Sequence, residues 1–168
     1  NTVRNSPKEG IDIWLGARHG EVVGNRVYGN AAAGIFVDGA AYVKIHRNVV
    51  YANRAGIGIS SEDPRYATHD IWAFNNVLYD NRDSGFFLWD DPRQPGYNGV
   101  QNILIAHNTS MGSKQAFYLT GKKNTVKILN NLSYSVYSGI QDDSTRSSVA
   151  VQDNVWLTKV DGFVAAGL

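Results

Sequence analysis

The chain has 168 residues, 43% hydrophobic and 18% charged, with 16 Lys and Arg against 15 Asp and Glu for a net charge of +1. That length suits one domain, the charge leaves no electrostatic footprint for nucleic acid or an anionic membrane surface, and no apolar run approaches the roughly 20 residues that span a bilayer. The absence of cysteine excludes disulfides and thiolate metal sites, and the opening "NTVRNSPKEG", without initiator Met or signal segment, reads as a mature or excised piece.

One pattern then recurs along the chain: "NTVRNS", "NRVYGN", "NVVYAN", "NVLYDN", "NTSMGS", "NLSYSV" and "NVWLTK". The anchors Asn1, Asn25, Asn48, Asn76, Asn108, Asn131 and Asn154 are separated by 24, 23, 28, 32, 23 and 23 residues, a period near 23 with two long units. Eight or nine positions after each anchor, a Gly or Ala opens an alternating apolar run: "GIDIWL", "GIFV", "GIGI", "GFFL", "AFYL", "GIQD", "GFVA". Further alternating runs such as "VKIHRN", "ILIAHN" and "VKILNN" precede the anchors. Each unit is therefore predicted to hold three short strands separated by turns.

Two solenoids share a period in the low twenties. A leucine-rich repeat requires a further apolar column, but the matching positions are Ala40, Thr68, Val100, Lys123 and Arg146. A parallel β-helix requires only stacked coils about 4.8 Å apart. The pattern of Asn, apolar triplet, Asn, then Gly-apolar-x-apolar resembles the repeat of the pectate-lyase-like superfamily over the whole chain. The expected fold is all-β: a single-stranded right-handed parallel β-helix of about seven coils, with three short parallel sheets and an Asn ladder. Residues 1–168 are expected to form one domain of a longer chain, with the first coil incomplete and the end caps missing.

Asn tolerates left-handed backbone angles, so the Asn columns are assigned to the turns. Their amides are expected to hydrogen-bond up and down the stack. Asn30, Asn53 and Asn81 are assigned the same structural role, and Tyr28, Tyr51, Tyr79 and Tyr134 a packed column. If Ile35/Val37, Ile57/Ile59, Phe86/Leu88 and Phe117/Leu119 point inward, then Asp12/Trp14, Phe36/Asp38, Gly58/Ser60, Phe87/Trp89, Tyr118/Thr120 and Gln141/Asp143 share one outer face. Aligned aromatics on neighbouring coils form a patch, and sugar rings stack their C–H faces on such rings. Trp14, Phe36, Phe87, Trp89 and Tyr118 are the expected substrate-binding residues, with the small Gly58/Ser60 coil as a gap for a sugar. The competing reading has insertion loops folding over these rings.

The two long units place their extra residues after this strand, as "SEDPRYATHD" (61–70) and "DDPRQPGYNGVQ" (90–101). Long loops on a regular solenoid gather on its functional face. Glu62 or Asp63 against Asp90 or Asp91 suits a retaining glycosidase pair on adjacent coils, whereas Asp38 against Asp90 or Asp91 suits the inverting separation. A lyase would use Arg65, Arg93 or a cation to neutralise a uronate and His69, Arg65 or a Lys as base. "EDPRY" is faintly similar to the Asp-Pro-His motif of alginate epimerases, matching at Asp63 and Pro64 with Arg65 at the His position. Acid pairs at Glu62/Asp63, Asp90/Asp91 and Asp142/Asp143 offer oxygens to Ca²⁺, while the spacing of His19, His46, His69 and His107 gives no zinc motif.

The resemblance implies an extracellular or periplasmic protein acting on an acidic polysaccharide or oligosaccharide as lyase, hydrolase or epimerase. The alternative is a non-catalytic glycan-binding, adhesive or structural module, or an oligomeric assembly unit.

Overall fold

The computed structural model describes residues 1–90 and 99–157, with side chains apart from those of 122–124 and 145–147. Coil one supplies β1 (Thr2–Arg4), β2 (Ile11–Trp14) and β3 (Glu21–Val23); coil two β4 (Arg26–Tyr28), β5 (Ala33–Asp38) and β6 (Ala41–His46). Coil three supplies β7 (Val49–Tyr51), β8 (Ala55–Ser61) and β9 (His69–Phe74); coil four β10 (Val77–Tyr79), β11 (Ser84–Asp90) and β12 (Gln101–Ala106). Coils five and six are each one 21-residue strand, β13 (Thr109–Leu129) and β14 (Leu132–Gln152), and β15 (Val155–Leu157) begins a seventh. Short turns let pairing in these two coils run almost unbroken, with register shifts at the corners.

All pairings are parallel, and they sort into three faces. The first sheet is β1-β4-β7-β10, the second β2-β5-β8-β11 and the third β3-β6-β9-β12; β13 and β14 extend all three. The result is a parallel solenoid of six coils and the start of another, as the repeat predicted.

Alternation sends one residue in two to the core. Ile35, Val37, Ile57, Ile59, Phe86, Leu88, Phe117 and Leu119 on the second sheet are fully buried, as expected. They face Val43/Ile45, Ile71/Ala73, Ile103/Ile105 and Val126/Ile128 of the third sheet. In the first sheet the inward column runs Val27, Val50, Leu78, Ser110, Ser133 and Trp156. The shrinkage to Ser accompanies the bulky Phe86–Phe117 stack, whose centroids are 5.2 Å apart. Trp156 then lies edge-on to Phe117 at 5.9 Å, over Gly139, where any Cβ would stand 2.3 Å from its ring.

The Asn ladder forms, but by a different division of labour from the one expected. Asn48 donates through its backbone N (3.1 Å) and Nδ2 (3.0 Å) to Asn76 Oδ1, and Asn76 does the same to Asn108 Oδ1 at 2.9 Å each. The same bonds continue to Asn131 and Asn154, and each Nδ2 also reaches a backbone carbonyl. The left-handed residue is the one before the anchor: Gly24, Arg47, Asn75, His107, Asn130 and Asp153 all have φ between 53° and 66°. The positive φ reverses the chain so that the following amide swings into the turn, where buried N–H groups would otherwise lack partners. Asn30, Asn53 and Asn81 form a second buried ladder, with Nδ2 to Oδ1 distances of 2.8 and 3.1 Å. Tyr28, Tyr51 and Tyr79 stack at 4.8 and 4.6 Å, but Met111 stands between Tyr79 and Tyr134 in the register.

Candidate functional site

The outer face of the second sheet carries one column of Asp12, Phe36, Gly58, Phe87, Tyr118 and Gln141, and another of Trp14, Asp38, Ser60 and Trp89. Because strand alternation is a covalent property and the register has no slip here, each of these residues stands above its counterpart on the coil below. Phe36, Phe87, Trp89 and Tyr118 are half-buried and Trp14 is 56% exposed. Phe87 and Tyr118 stack with centroids 5.5 Å apart, which leaves the other face of Phe87 toward coil three. There Gly58 presents no side chain, and the Phe36 ring lies over it, 2.6 Å from where a Cβ would stand, next to the Phe87 ring. A cleft of about 500 Å³ opens at this point, floored by Phe36, Phe87, Trp89 and Tyr118.

One rim comes from the turn that precedes the second sheet. Arg54 Nε donates to Asp83 Oδ2 at 2.9 Å and Lys114 Nζ to Asp83 Oδ1 at 3.3 Å, a charge ladder climbing three coils beside the cleft. Burial pushes the Asp83 carboxyl up, but Arg54 and Lys114 outweigh it and hold the group below the usual carboxylate range. Glu9 and Gln115 complete that rim, and Gln115 Nε2 donates to Gln141 Oε1 at 3.0 Å. None of Glu9, Arg54, Asp83, Lys114, Gln115 and Gln141 was among the expected site residues. Arg54, Asp83 and Lys114 each sit one residue before the aligned positions Ala55, Ser84 and Gln115 where the second-sheet pairing begins, and that recurrence of charge was the available signal.

The opposite wall is Glu62, whose Oε1 accepts from Ser60 Oγ at 3.3 Å. Asp38 is buried and braces this wall: Oδ1 accepts from Glu62 N at 2.8 Å and Oδ2 from Trp14 Nε1 at 3.1 Å. Burial raises its carboxyl above the ordinary value, with both hydrogen bonds opposing. Asp90 is fully buried beside Gly121, where no Cβ would fit, and pairs in register with Ser61.

After Glu62 the inserted loop leaves the cleft and folds back over coils one and two. Tyr66 sits on Gly16 and Gly39, both at positive φ, at the 3.0 Å limit of what a Cβ would tolerate. Asp63 and Arg65 pair with each other (Nη2 to Oδ2 2.6 Å), and Arg65 holds the Asp63 carboxyl at about 2. His69 opens β9 on the third sheet, its Nδ1 2.6 Å from Asp70 Oδ2 and its ring edge-on to Tyr42. Of the expected catalytic set, then, Glu62 alone lines the cleft among the described residues. Asp38 and Asp90 are buried beside it, Asp63, Arg65 and His69 lie round the corner, and Asp91 and Arg93 fall outside the described residues. No cluster of three or more His, Cys, Asp or Glu placed to hold a metal occurs among the described residues. Of the other acid pair, Asp142 accepts from Ser144 N at 2.9 Å and Asp143 from Gln141 Nε2 at 2.8 Å.

The profile of the family described as right handed beta helix region matches residues 1–96, more than half of the chain. The chain is also similar to Uncharacterized protein YwoF of Bacillus subtilis (strain 168), with 35% identity over 78 residues. That match covers 46% of this chain and 16% of YwoF, so the chain spans a small part of that relative's length. No solved structure gives a significant match.

Proposed function

The chain belongs to the right-handed β-helix family, and on that scaffold we propose that it is a carbohydrate-active protein that holds a polysaccharide strand along the second sheet. The observation that carries this reading is the cleft lined by the aromatic rings of Phe36, Phe87, Trp89 and Tyr118 beside the small residues Ala33, Ala55 and Ser84. Sugars offer apolar C–H faces to such rings and hydroxyls to the polar groups beside them. Here the polar groups are Glu9, Gln115, Glu62 and the Arg54–Asp83–Lys114 ladder. From Trp14 on coil one to Tyr118 on coil five is four coil steps, roughly 19 Å at about 4.8 Å each, which suits a polymer rather than a single sugar.

The lining charges of Glu9, Glu62 and Asp83 nearly balance those of Arg54 and Lys114. Recognition in the cleft therefore falls to hydroxyls and ring faces. Binding measured by calorimetry over a panel of neutral and acidic polysaccharides tests the proposal. Trp89→Ala and Phe87→Ala are each expected to weaken the best binder about two- to tenfold, in keeping with about 0.5–1.5 kcal/mol per stacked ring. A panel with no binder refutes it.

Glu62 supports a second, catalytic reading, because it places an inserted-loop carboxylate on the cleft wall. As a lyase, hydrolase or epimerase the protein would generate shortened or epimerised sugars that Glu62→Gln abolishes. Products unaffected by Glu62→Gln, or no products at all, leave the binding role alone.

A further inference from the structure

We propose that the third sheet carries a second saccharide site, separate from the cleft, that takes a sugar residue bearing an anionic group. The corner that opens this sheet requires a left-handed residue in every described coil of coils one to four: His19 (φ 57°), Tyr42 (57°), Asp70 (55°) and Asn102 (50°). Asp, Asn and His suit that conformation, as Gly would, whereas a bulky residue such as Tyr there is an outlier. Coils one, three and four follow the rule, and coil two breaks it with Tyr42. The Tyr42 side chain is not one that the backbone angle favours, and its ring pairs with that of His19 on the coil below.

The two rings stack at 4.9 Å with planes 6° apart, and Tyr42 remains 37% exposed. Facing them is the outward row Glu21, Lys44 and Trp72, aligned in register on β3, β6 and β9. Between the two rows runs a trough of about 390 Å³, within the size range of small-ligand sites. Its carboxylate, Glu21, is already held by His46 Nε2 at 2.6 Å, and Asp70 nearby is held by His69. Lys44 is exposed and stands in register beside Glu21, which feels its charge. The close partner of Glu21 is His46, however, and Lys44 makes no salt bridge with a carboxylate of the described residues, so its ammonium is open to a ligand. Trp72 supplies an apolar face, while the Tyr42 hydroxyl and the His19 imidazole supply hydrogen bonds. Together these select a sugar with a carboxylate or sulfate over a neutral one. The trough and the cleft share no lining residue, so each fills without the other.

The test is titration of ¹⁵N-labelled protein with tetragalacturonate, with its carboxyl-reduced neutral counterpart and with a sulfated oligosaccharide of equal length. Shifts at His19, Tyr42 and Trp72 with either anionic oligomer, and at least tenfold weaker ones with the neutral form, are the expected result. Which anion binds more tightly distinguishes carboxylate from sulfate. Tyr42→Asn installs the residue that coil four uses at this corner, so it is expected to keep or raise the Tm while lowering affinity at least fivefold. Lys44→Gln is expected to remove the preference for the anionic oligomer. No shifts on this face, equal response to the neutral oligomer, or unchanged binding in both variants overturns the proposal. Trp89→Ala, which weakens the cleft, is expected to leave the trough unchanged, so failure of one site is readable apart from the other.

Discussion

Replacing Asn76 with Ala removes the centre of the longer ladder, and the structure sets the size of the loss. Asn76 is 1% exposed; its Oδ1 accepts from Asn48 N and Nδ2, and its Nδ2 donates to Ile45 O and Asn108 Oδ1. Three of the four partner groups keep other bonds: Asn48 Nδ2 reaches Val22 O and His46 O, Asn108 Oδ1 still accepts from Asn76 N, and Ile45 O lies within the paired third sheet. The Asn48 N–H has no other bond among the described residues. A buried donor left unpaired costs about 1–3 kcal/mol, and the weakened partners add about 1 kcal/mol, so the loss is about 3 kcal/mol. That corresponds to roughly 6–12 °C in Tm for a chain of this size. The neighbouring Asn75, exposed and at φ 55°, provides the control. Asn75→Gly is expected to change stability by only a few tenths of a kcal/mol and Asn75→Ala by about 1 kcal/mol, because that position serves the backbone angle. Urea denaturation followed by Trp fluorescence and circular dichroism measures all three. A loss below about 1 kcal/mol for Asn76→Ala, or a larger one for Asn75→Ala, would refute the division between turn residue and ladder residue.

Three further outcomes are expected. Gly58→Ala places a methyl against the Phe36 ring at 2.6 Å, so the ring must swing across the cleft; polysaccharide binding should fall at least tenfold while Tm drops by only a few degrees, and unchanged affinity would show that the cleft is not used. The Asp63 carboxyl, held at about 2 by Arg65, should return toward the ordinary value near 3.9 in Arg65→Gln, as read by NMR titration. Because its folded value lies below the unfolded one, its stabilising effect is full above about pH 4 and is lost as pH falls toward 2; a variant indistinguishable from the parent across that window contradicts the pairing. Gly39→Ala combines a φ of 60° with a Cβ 3.0 Å from Tyr66, and is expected to cost about 1–2 kcal/mol and to release the inserted loop to protease; an intact loop under limited proteolysis would argue against the Tyr66 seat.

The aromatic floor was legible because it needs only two local quantities, the repeat length and the alternation of side chains. Once Ile57 and Ile59 point inward, Gly58 and Ser60 must point outward, and equal coils bring Phe36, Phe87 and Tyr118 into one column. The acids were not legible in the same way. Asp38 and Asp90 lie at strand ends, where exposure depends on what the neighbouring coils offer. Trp14 and the Glu62 amide close over one, and the absence of a side chain at Gly121 makes room for the other. The rim of Arg54, Asp83 and Lys114 was missed because it belongs to the turn before the strand, whereas both insertions follow it.

The sequence by itself determined the winding, since period and alternation are written along the chain and a one-residue slip would have turned every core residue outward. It also determined where Asn must recur, because each buried turn amide needs a partner once per coil. Only the tertiary structure decided which member of each Asn-containing turn takes the left-handed angle and which face receives the Asp63–His69 loop. The loop's path is set by Tyr66 meeting Gly16 and Gly39, residues 50 and 27 positions away, and contacts of that range depend on how the stacked coils lie rather than on any local pattern.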